Sequence, residues 1–157
     1  MPTITPNLWF DTQGLAAAEF YVSIFPNSKV TDITHYGESG PRPAGTVLTV
    51  NFELDGQPYT AINGGPEFTF DEAISLLVNC ADQDEVDYYW EKLSEGGEEG
   101  VCGWLKDKFG LSWQVCPVGF EAMVNSPNKE GAERAMQAMF GMKKLDLAAL
   151  QAAFDGK

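Results

Sequence analysis

Histidine, cysteine and basic residues are all scarce in this chain of 157 residues. It has one histidine, three cysteines, and 10 Lys plus Arg against 23 Asp plus Glu, which gives a formal net charge of −13. Nucleic acids and anionic membranes attract proteins through clustered Lys and Arg, so the charge argues against both as partners. A single histidine also argues against a histidine-rich metal site and against Ser–His–Asp catalysis.

Long apolar runs are lacking as well. No stretch approaches the roughly 20 apolar residues that a membrane-spanning helix needs. The N-terminal Met-Pro-Thr-Ile-Thr-Pro has neither the basic nor the apolar region of a signal peptide. Cys80, Cys102 and Cys116 are an odd number at wide spacing, which predicts buried thiols rather than disulfides or a zinc site. We therefore expect a cytoplasmic protein.

The most informative feature that is present is an internal repeat. An extended run over residues 4–10 leads into a helical stretch, and a second extended run over 74–80 leads into another. A shift of 68 positions superposes Glu19 on Asp87, Tyr21 on Tyr89, Val22 on Trp90 and Phe25 on Leu93. Large side chains at three- and four-residue spacing predict one buried stripe on each helix. Asp11 is predicted to cap the first helix, with the orientation of a ligand as the alternative role.

Strands are predicted after each helix. After the first they cover residues 29–36, 46–54 and 59–63, and Asp55-Gly56 is a hairpin signal between the last two. After the second helix we predict a loop over 96–100 and strands over 101–106 and 112–117. The sequence thus predicts a single domain, 1–157, with one module over 3–65 and another over 72–117.

The C-terminal part, residues 126–157, is predicted to be helical. Residues 128–140 and 145–154 are rich in Ala and Met and have the spacing of two helices. Met136, Met139 and Phe140 fall on one face of the first of these helices. Such a stripe predicts a docking surface against the sheet or another subunit.

Several separated segments carry a family resemblance. They are Pro6–Asp11, Phe20–Ser28, Leu54–Pro58, Asn63–Pro66 and Cys102–Gln114. Together they resemble the PhnB-like family, whose domain is described as 3-demethylubiquinone-9 3-methyltransferase, within the vicinal oxygen chelate (glyoxalase/bleomycin-resistance) superfamily. The resemblance runs from about residue 3 to 117, and residues 136–150 also look typical of family members. It implies an α+β fold of paired βαβββ modules forming a curved mixed sheet cup, plus C-terminal helices, and a homodimer.

In such a module the helix covers one face of the sheet and the other face lines the cup, and strand alternation assigns the side chains. Leu8 and Phe10 should face the first helix, and Ile74, Leu76 and Val78 the second. On the last strand, one face carries Trp113 and Val115 and the other carries Ser112, Gln114 and Cys116. Trp9 and Trp104 are predicted as cup walls or as core residues. The predicted ligand-binding residues are Asn7, Trp9, Tyr59, Asn63, Ser75, Trp104 and Gln114.

The resemblance also raises the question of a metal ion, because metal-dependent superfamily members place His and Glu ligands on the corresponding strands. The best-matching positions here are Asn7 (or Thr5), Asn63 (or Ala61), Ser75 (or Ala73) and Gln114. Neutral amides and hydroxyls bind transition metals poorly. His35, on the second predicted strand, has no ligand pattern around it. We therefore predict no metal and no cofactor.

Other catalytic patterns are missing too, so the catalytic residues stay unassigned. A nucleophilic cysteine needs a neighbouring base, and nothing in the sequence pairs Cys102 or Cys116 with His35. Neither glycine pair, at 64–65 and 96–97, opens a helix at the spacing of a nucleotide-binding loop, so no S-adenosylmethionine loop is predicted.

Three functions remain open at this point. The favoured one is a metal-independent protein that binds an unidentified small organic molecule. The second is an enzyme of the same superfamily, such as a lyase, dioxygenase or transferase, that acts with a weakly bound metal or none. The third is a structural or partner-binding dimer whose cup is filled by side chains or by the C-terminal helices.

Overall fold

The computed structural model describes residues 1–157, and the chain divides into two compact units, Met1–Phe70 and Asp71–Lys157. The first unit contains β1 (Asn7–Phe10), α1 (Gly14–Ile24), β2 (Lys29–His35), β3 (Val47–Leu54) and β4 (Gln57–Asn63). The second contains β5 (Ser75–Cys80), α2 (Gln83–Ser94), β6 (Glu98–Glu99), β7 (Trp104–Lys106), β8 (Ser112–Pro117), α3 (Val118–Val124), α4 (Lys129–Phe140) and α5 (Leu147–Asp155). The predicted α+β class with paired βαβββ modules is confirmed. The cup and the single-domain organisation stay predictions.

The two units have the same sheet topology. The strand order is β1-β4-β3-β2 in the first sheet and β5-β8-β7-β6 in the second. In each sheet the first and last strands pair in parallel, with Leu8 opposite Ala61 and Leu76 opposite Trp113, and the other pairs are antiparallel. The shared topology confirms the internal repeat.

The repeat has a different register in its strands and in its helices. Equivalent strand positions lie 68 residues apart, as predicted: Leu8 and Leu76 occupy the same place in their sheets. The buried helix positions lie 69 apart, which pairs Tyr21 with Trp90 rather than with Tyr89. The predicted superposition of the helices was therefore wrong by one residue, because the first buried position of α2, Val86, lies eight residues after Val78, whereas Ala17 of α1 lies seven residues after the equivalent Phe10.

The two repeated helices begin differently. At the start of α2, the Asp82 side chain accepts a hydrogen bond from the Glu85 backbone N–H at 2.9 Å, which is an ordinary N-cap. The N-cap position of α1 is Gln13, and its side chain makes no capping hydrogen bond. Asp11 instead forms an ion pair with Arg42 at 3.2 Å. The prediction that Asp11 caps α1 was wrong.

Turn geometry explains where strand predictions succeeded and failed. The Asp55-Gly56 hairpin is confirmed, with both residues at positive φ (47° and 80°), as a type I′ turn requires. The predicted strand over 101–106 begins only at Trp104, because Cys102 and the residue after it turn the chain with φ of 59° and 81°. The predicted loop over 96–100 contains the two-residue strand β6, which is too short to show alternation.

Each helix covers one face of its own sheet, and the cores form there. In the first unit, Leu8, Phe10, Val50 and Phe52 are at most 5% exposed, and Tyr21 of α1 is fully buried. In the second unit the corresponding core consists of Val86, Trp90, Leu93, Leu105, Trp113 and Val115. The predicted helix-facing side chains of β1 are thus confirmed, and the opposite faces of both sheets carry more polar side chains. The prediction that Ile74 faces the second helix was wrong, because Ile74 precedes β5 and is 59% exposed.

The C-terminal helices pack together within the second unit. Both predicted helices are present as α4 and α5, whereas α3 was not predicted. A buried cluster consists of Phe120, Met123, Ala135, Leu145 and Leu150, with Cys116 of β8 packed against it. Two members of the predicted stripe, Met136 and Met139, also pack there. None of the helices is both long and apolar enough to cross a membrane.

Candidate functional site

The face of the second sheet that α2 leaves uncovered carries a group of polar side chains, which we call the open face. Alternation places Leu105, Trp113 and Val115 on the helix-covered face, where they are buried. The residues between them on the strands therefore point to the open face. These are Ser75, Leu77 and Asn79 on β5, Ser112, Gln114 and Cys116 on β8, Trp104 and Lys106 on β7, and Glu98 on β6.

Two of the predicted ligand-binding residues contact each other on the open face. The Gln114 side-chain amide donates a hydrogen bond to the Ser75 hydroxyl at 2.9 Å. The two side chains come from parallel strands that the sequence separates by 39 residues. Both are half-buried, so the pair forms a polar area that is still reachable from solvent.

Beside this pair lies a cavity of about 240 Å³, which we call the Ser112 cavity. Its lining residues include Trp104, Lys106, Ser112, Glu72 and Glu98. Trp104 is half-buried and lies across from Gln114 in the β7–β8 register. The structure thus brings together three of the seven predicted ligand-binding residues, namely Ser75, Trp104 and Gln114.

Ser112 is the most unusual member of this group. It is 1% exposed, and its hydroxyl has no hydrogen-bond partner. Its cross-strand neighbours are Ser75 on one side and Lys106 on the other, yet the Ser75 hydroxyl is engaged by Gln114. A buried polar group without a partner costs free energy, so native proteins rarely keep one without a reason.

Lys106 and Glu72 form an ion pair at the rim of the cavity. The hydrogen bond and the opposite charge of Lys106 lower the pKa of the Glu72 carboxyl, and Glu72 in turn raises the pKa of the Lys106 ammonium group. Glu98 and Asp71 add to the negative potential around Lys106. Lys106 is therefore a fixed cation at neutral pH.

In the first unit, Trp9 lies on the face of its sheet that α1 does not cover, but its side chain contacts other residues of the same unit. Its indole N–H donates to the Gly65 carbonyl at 2.9 Å, and Phe68 contacts the ring edge-on with centroids 5.0 Å apart. Gly64 lies so close that a Cβ there would come within 2.2 Å of the ring. The Asn7 side chain is exposed and donates to the Thr5 carbonyl at 3.0 Å.

Asn63 and Tyr59 lie on the helix-covered face of the first sheet, so their predicted placement on the cup side was wrong. The Asn63 Oδ1 atom accepts a hydrogen bond from the Gly14 backbone N–H at 2.8 Å. Tyr59 stacks on Phe52 with ring centroids 5.5 Å apart, and burial raises the pKa of its hydroxyl. Alternate positions of β4 mix polar and apolar residues on both faces, so the sequence pattern there does not distinguish the faces.

The cysteines show the features of structural thiols. Cys80 is fully buried, and that burial, with carboxylates nearby, raises the pKa of its thiol to about 12. Burial and the charge of Glu121 also raise the pKa of Cys116. Both thiols are therefore protonated at neutral pH and poor nucleophiles. All three cysteines are free, as predicted, but only Cys80 is buried, and Cys102 and Cys116 are half-buried.

The residues at the superfamily's metal-ligand positions do not fit a metal ion. The Asn63 Oδ1 atom accepts a hydrogen bond from the Gly14 backbone N–H. The Gln114 amide donates to the Ser75 hydroxyl, and the Asn7 amide donates to the Thr5 carbonyl. Carboxamides and hydroxyls are weak ligands for transition metals. No three His, Cys, Asp or Glu side chains lie close enough to hold an ion together. We derive no chemistry through a metal.

Strand alternation predicted Ser112 on the same face as Gln114 and Cys116, but Ser112 was not included among the predicted ligand-binding residues. Lys106, Glu72 and Glu98 were not assigned to the site. The assignment of Glu98 and Lys106 to the site depends on the β6–β7–β8 register, which places both in one cross-strand row with Ser112. Short strands between glycine turns do not reveal that register in the sequence.

The structure is similar to several solved proteins. The PhnB protein of Bacillus cereus, which bears the 3-demethylubiquinone-9 3-methyltransferase description, is 35% identical, with a TM-score of 0.68 over 74% of this chain and 99% of that one. A Pseudomonas aeruginosa protein is 19% identical, with a TM-score of 0.61 over 74% and 98%. The fosfomycin resistance protein FosX of Listeria monocytogenes is 16% identical, with a TM-score of 0.51 over 74% and 90%. The last two show the fold alone.

The sequence itself matches one family profile, described as 3-demethylubiquinone-9 3-methyltransferase, over residues 2–116. None of the curated proteins matches the chain. The family match ends within β8, so helices α3 to α5 lie outside it. The chain belongs to this PhnB-like family of the vicinal oxygen chelate superfamily and has its glyoxalase/bleomycin-resistance fold.

Proposed function

We propose that the protein binds a small organic molecule on the open face of the second sheet, at the Ser112 cavity, and does so without a metal ion. The observation that carries the proposal is the buried Ser112 hydroxyl, which lines the cavity and has no partner within the fold. A bound molecule that hydrogen-bonds to this hydroxyl would remove its desolvation cost. The half-buried Trp104 supplies an apolar wall, as ligand sites commonly do.

The size of the cavity limits the ligand. Its volume of about 240 Å³ is just below the roughly 300–1,000 Å³ of typical small-molecule sites. It has room for a small metabolite or for one substituent of a larger compound. No residue of the C-terminal helices lines it, which supports a binding site over the alternative of a filled cup.

The protonation states of Lys106, Cys80 and Cys116 favour roles in binding or structure over catalysis by these three residues. A general base must lose its proton near the working pH, but the pKa of Lys106 is raised by its hydrogen bond to Glu72. The two cysteines with raised pKa values, Cys80 and Cys116, are equally unsuited to nucleophilic attack. The site offers fixed charges, a hydroxyl and an aromatic ring, which can bind a ligand through ion pairs, hydrogen bonds and ring contacts.

The family description names a methyltransferase, and we do not extend that activity to this chain. Gly64 and Gly65 follow β4 and lead into a turn, and Gly96 and Gly97 follow the end of α2. Neither pair opens a helix whose N-terminus could hold a nucleotide. S-adenosylmethionine therefore belongs among the tested compounds as a defined comparison.

A thermal-shift screen of metabolites and aromatic compounds tests the proposal, run once with EDTA and once with divalent cations. We expect ligands that raise the melting temperature equally in both conditions, because a ligand that binds only the native state stabilises it. Ligands that act only when a divalent cation is present would contradict metal independence. A ligand that raises the melting temperature of Ser112→Ala as much as that of the wild type would not bind at the Ser112 cavity and would contradict the proposal as a whole.

The homodimer implied by the family resemblance is part of the same proposal. In the second unit Ile74, Leu77 and Val101 are each more than half exposed, which leaves apolar side chains available for association. Light scattering coupled to size exclusion measures the state in solution. A mass of twice 17.2 kDa is expected, and a monomer at all accessible concentrations would contradict it.

A further inference from the structure

We infer that the Ser112 cavity recognises an amine in its ammonium form, attached to a small aromatic or aliphatic group. This inference rests on the proposed binding function and names the class of ligand. It depends on three features of the cavity: the sign of its charge, the unpartnered hydroxyl and the aromatic wall.

The charge of the cavity is negative. Its lining includes three carboxylates, Glu72, Glu98 and Glu99, and one ammonium group, that of Lys106. Glu72 is paired with Lys106, and the Glu99 carboxylate accepts a hydrogen bond from the Trp90 indole N–H at 2.9 Å. Glu98 lies opposite Lys106 in the β6–β7 register and acts on its charge without an ion-pair contact, so the Glu98 carboxylate oxygens remain available to a further cation.

An anionic ligand would fit this arrangement poorly. Lys106 is the one cation in the lining, and its charge is already paired with Glu72, so an anion would have to share the ammonium group with that carboxylate. The anion would then face Glu98 across the same strand pair. Like charges at close range raise the free energy of binding, so the geometry disfavours carboxylates and phosphates.

The Ser112 hydroxyl and Trp104 complete the recognition of a cation. An ammonium N–H can donate to the Ser112 oxygen, which has two free lone pairs. The indole of Trp104 attracts a cation through its π face, and Trp gives the strongest such interaction among the aromatic side chains. All three groups line the same cavity as contacts for one ammonium group, and Lys106, which stands between Glu98 and Ser112 in the cross-strand row, has its charge paired with Glu72.

Three probes with the same phenyl end and different charge test the inference: phenethylamine, 2-phenylethanol and 3-phenylpropionate. Binding is measured by NMR titration of the full chain, with the Trp104 indole and Ser112 amide signals as reporters. We expect phenethylamine to bind at least about tenfold more tightly than the other two, with an affinity that falls as salt is added. Equal binding of all three, or tighter binding of the carboxylate, would overturn the amine assignment.

Two variants locate the charge responsible. Glu98→Gln should weaken phenethylamine binding by about two- to fivefold, the effect of one partly exposed charge. Glu91→Gln, on the exposed side of α2, removes the same charge away from the cavity and should have no effect. Equal effects of the two variants would show general attraction to an acidic protein and would overturn the site. If the metabolite screen yields neutral ligands at this cavity while phenethylamine shows no preference, the amine inference fails and the proposed binding function stands.

Discussion

Asn63 at the end of β4 holds the start of α1 through Gly14, which lies 49 residues earlier in the chain. The Asn63 Oδ1 atom accepts a hydrogen bond from the Gly14 backbone N–H at 2.8 Å. Its Nδ2 atom donates to the Thr12 and Val47 carbonyls at 3.3 Å and 3.2 Å. A distant strand residue thus performs the capping role that α1 lacks at its own N-cap position.

This arrangement predicts a stability role for Asn63. Asn63→Ala should lower the free energy of unfolding by about 1–3 kcal/mol, because buried backbone groups lose their partners. Urea denaturation measures the loss, with the exposed Asn79→Ala as a control that should change it by less than about 0.5 kcal/mol. A variant of normal stability that loses ligand affinity would instead support the binding role predicted from the sequence.

The contact between Gly64 and Trp9 makes a second prediction. Gly64→Ala should lower the free energy of unfolding by about 1–3 kcal/mol, because the added Cβ would overlap the indole ring. Gly37→Ala is the matched control, since no atom lies within 4 Å of a Cβ at that position. Equal stability of the two variants in denaturant titrations would show that Trp9 does not pack against Gly64.

The thiol of Cys80 should be almost unreactive in the folded protein. With a pKa of about 12, its thiolate fraction at pH 8 is lower than that of a free cysteine by about a thousandfold. Because the pKa is higher in the folded state than the ordinary value of 9.0, this group's contribution to stability is lost as the pH rises from about 9 towards about 12. Mass spectrometry after iodoacetamide treatment measures the rate at which Cys80 is alkylated. Alkylation of Cys80 in the native protein as fast as in urea would contradict the prediction.

Gln83 should hold the C-terminal helices on the second unit. Its Nε2 atom donates to the Leu145 carbonyl at 3.0 Å, and its Oε1 atom accepts from the Leu147 backbone N–H at 2.7 Å. Gln83→Ala removes both bonds and should speed hydrogen exchange over residues 145–155 while β5 and β8 stay protected. Gln151→Ala, on the exposed side of α5, is the control. Unchanged exchange over 145–155 would show that the cluster around Leu150 alone holds the helices.

The sequence predicted the fold far better than the site. Alternation on β1 and β5 and the helical stripes identified the repeat, because each of these segments has one clearly apolar face. Asn63 and Tyr59 were misplaced since β4 has no such face, and the capping of α1 by Asn63 depends on a contact between distant segments. Lys106 and Ser112 are neighbours because β7 pairs with β8, and a strand of three residues is too short for its register to be predicted from the sequence pattern.

The central claim, that the Ser112 hydroxyl is kept for a ligand, is tested most directly by measuring Ser112→Ala in two ways. Without ligand, its free energy of unfolding should equal or exceed that of the wild type, because the substitution removes an unpaired buried hydroxyl. Ser75→Ala on the same face should instead lose about 1 kcal/mol, since it leaves the Gln114 amide unpaired. With a ligand from the thermal-shift screen, Ser112→Ala should weaken binding by about tenfold. A loss of about 1 kcal/mol or more in stability, together with unchanged ligand affinity, would contradict the claim.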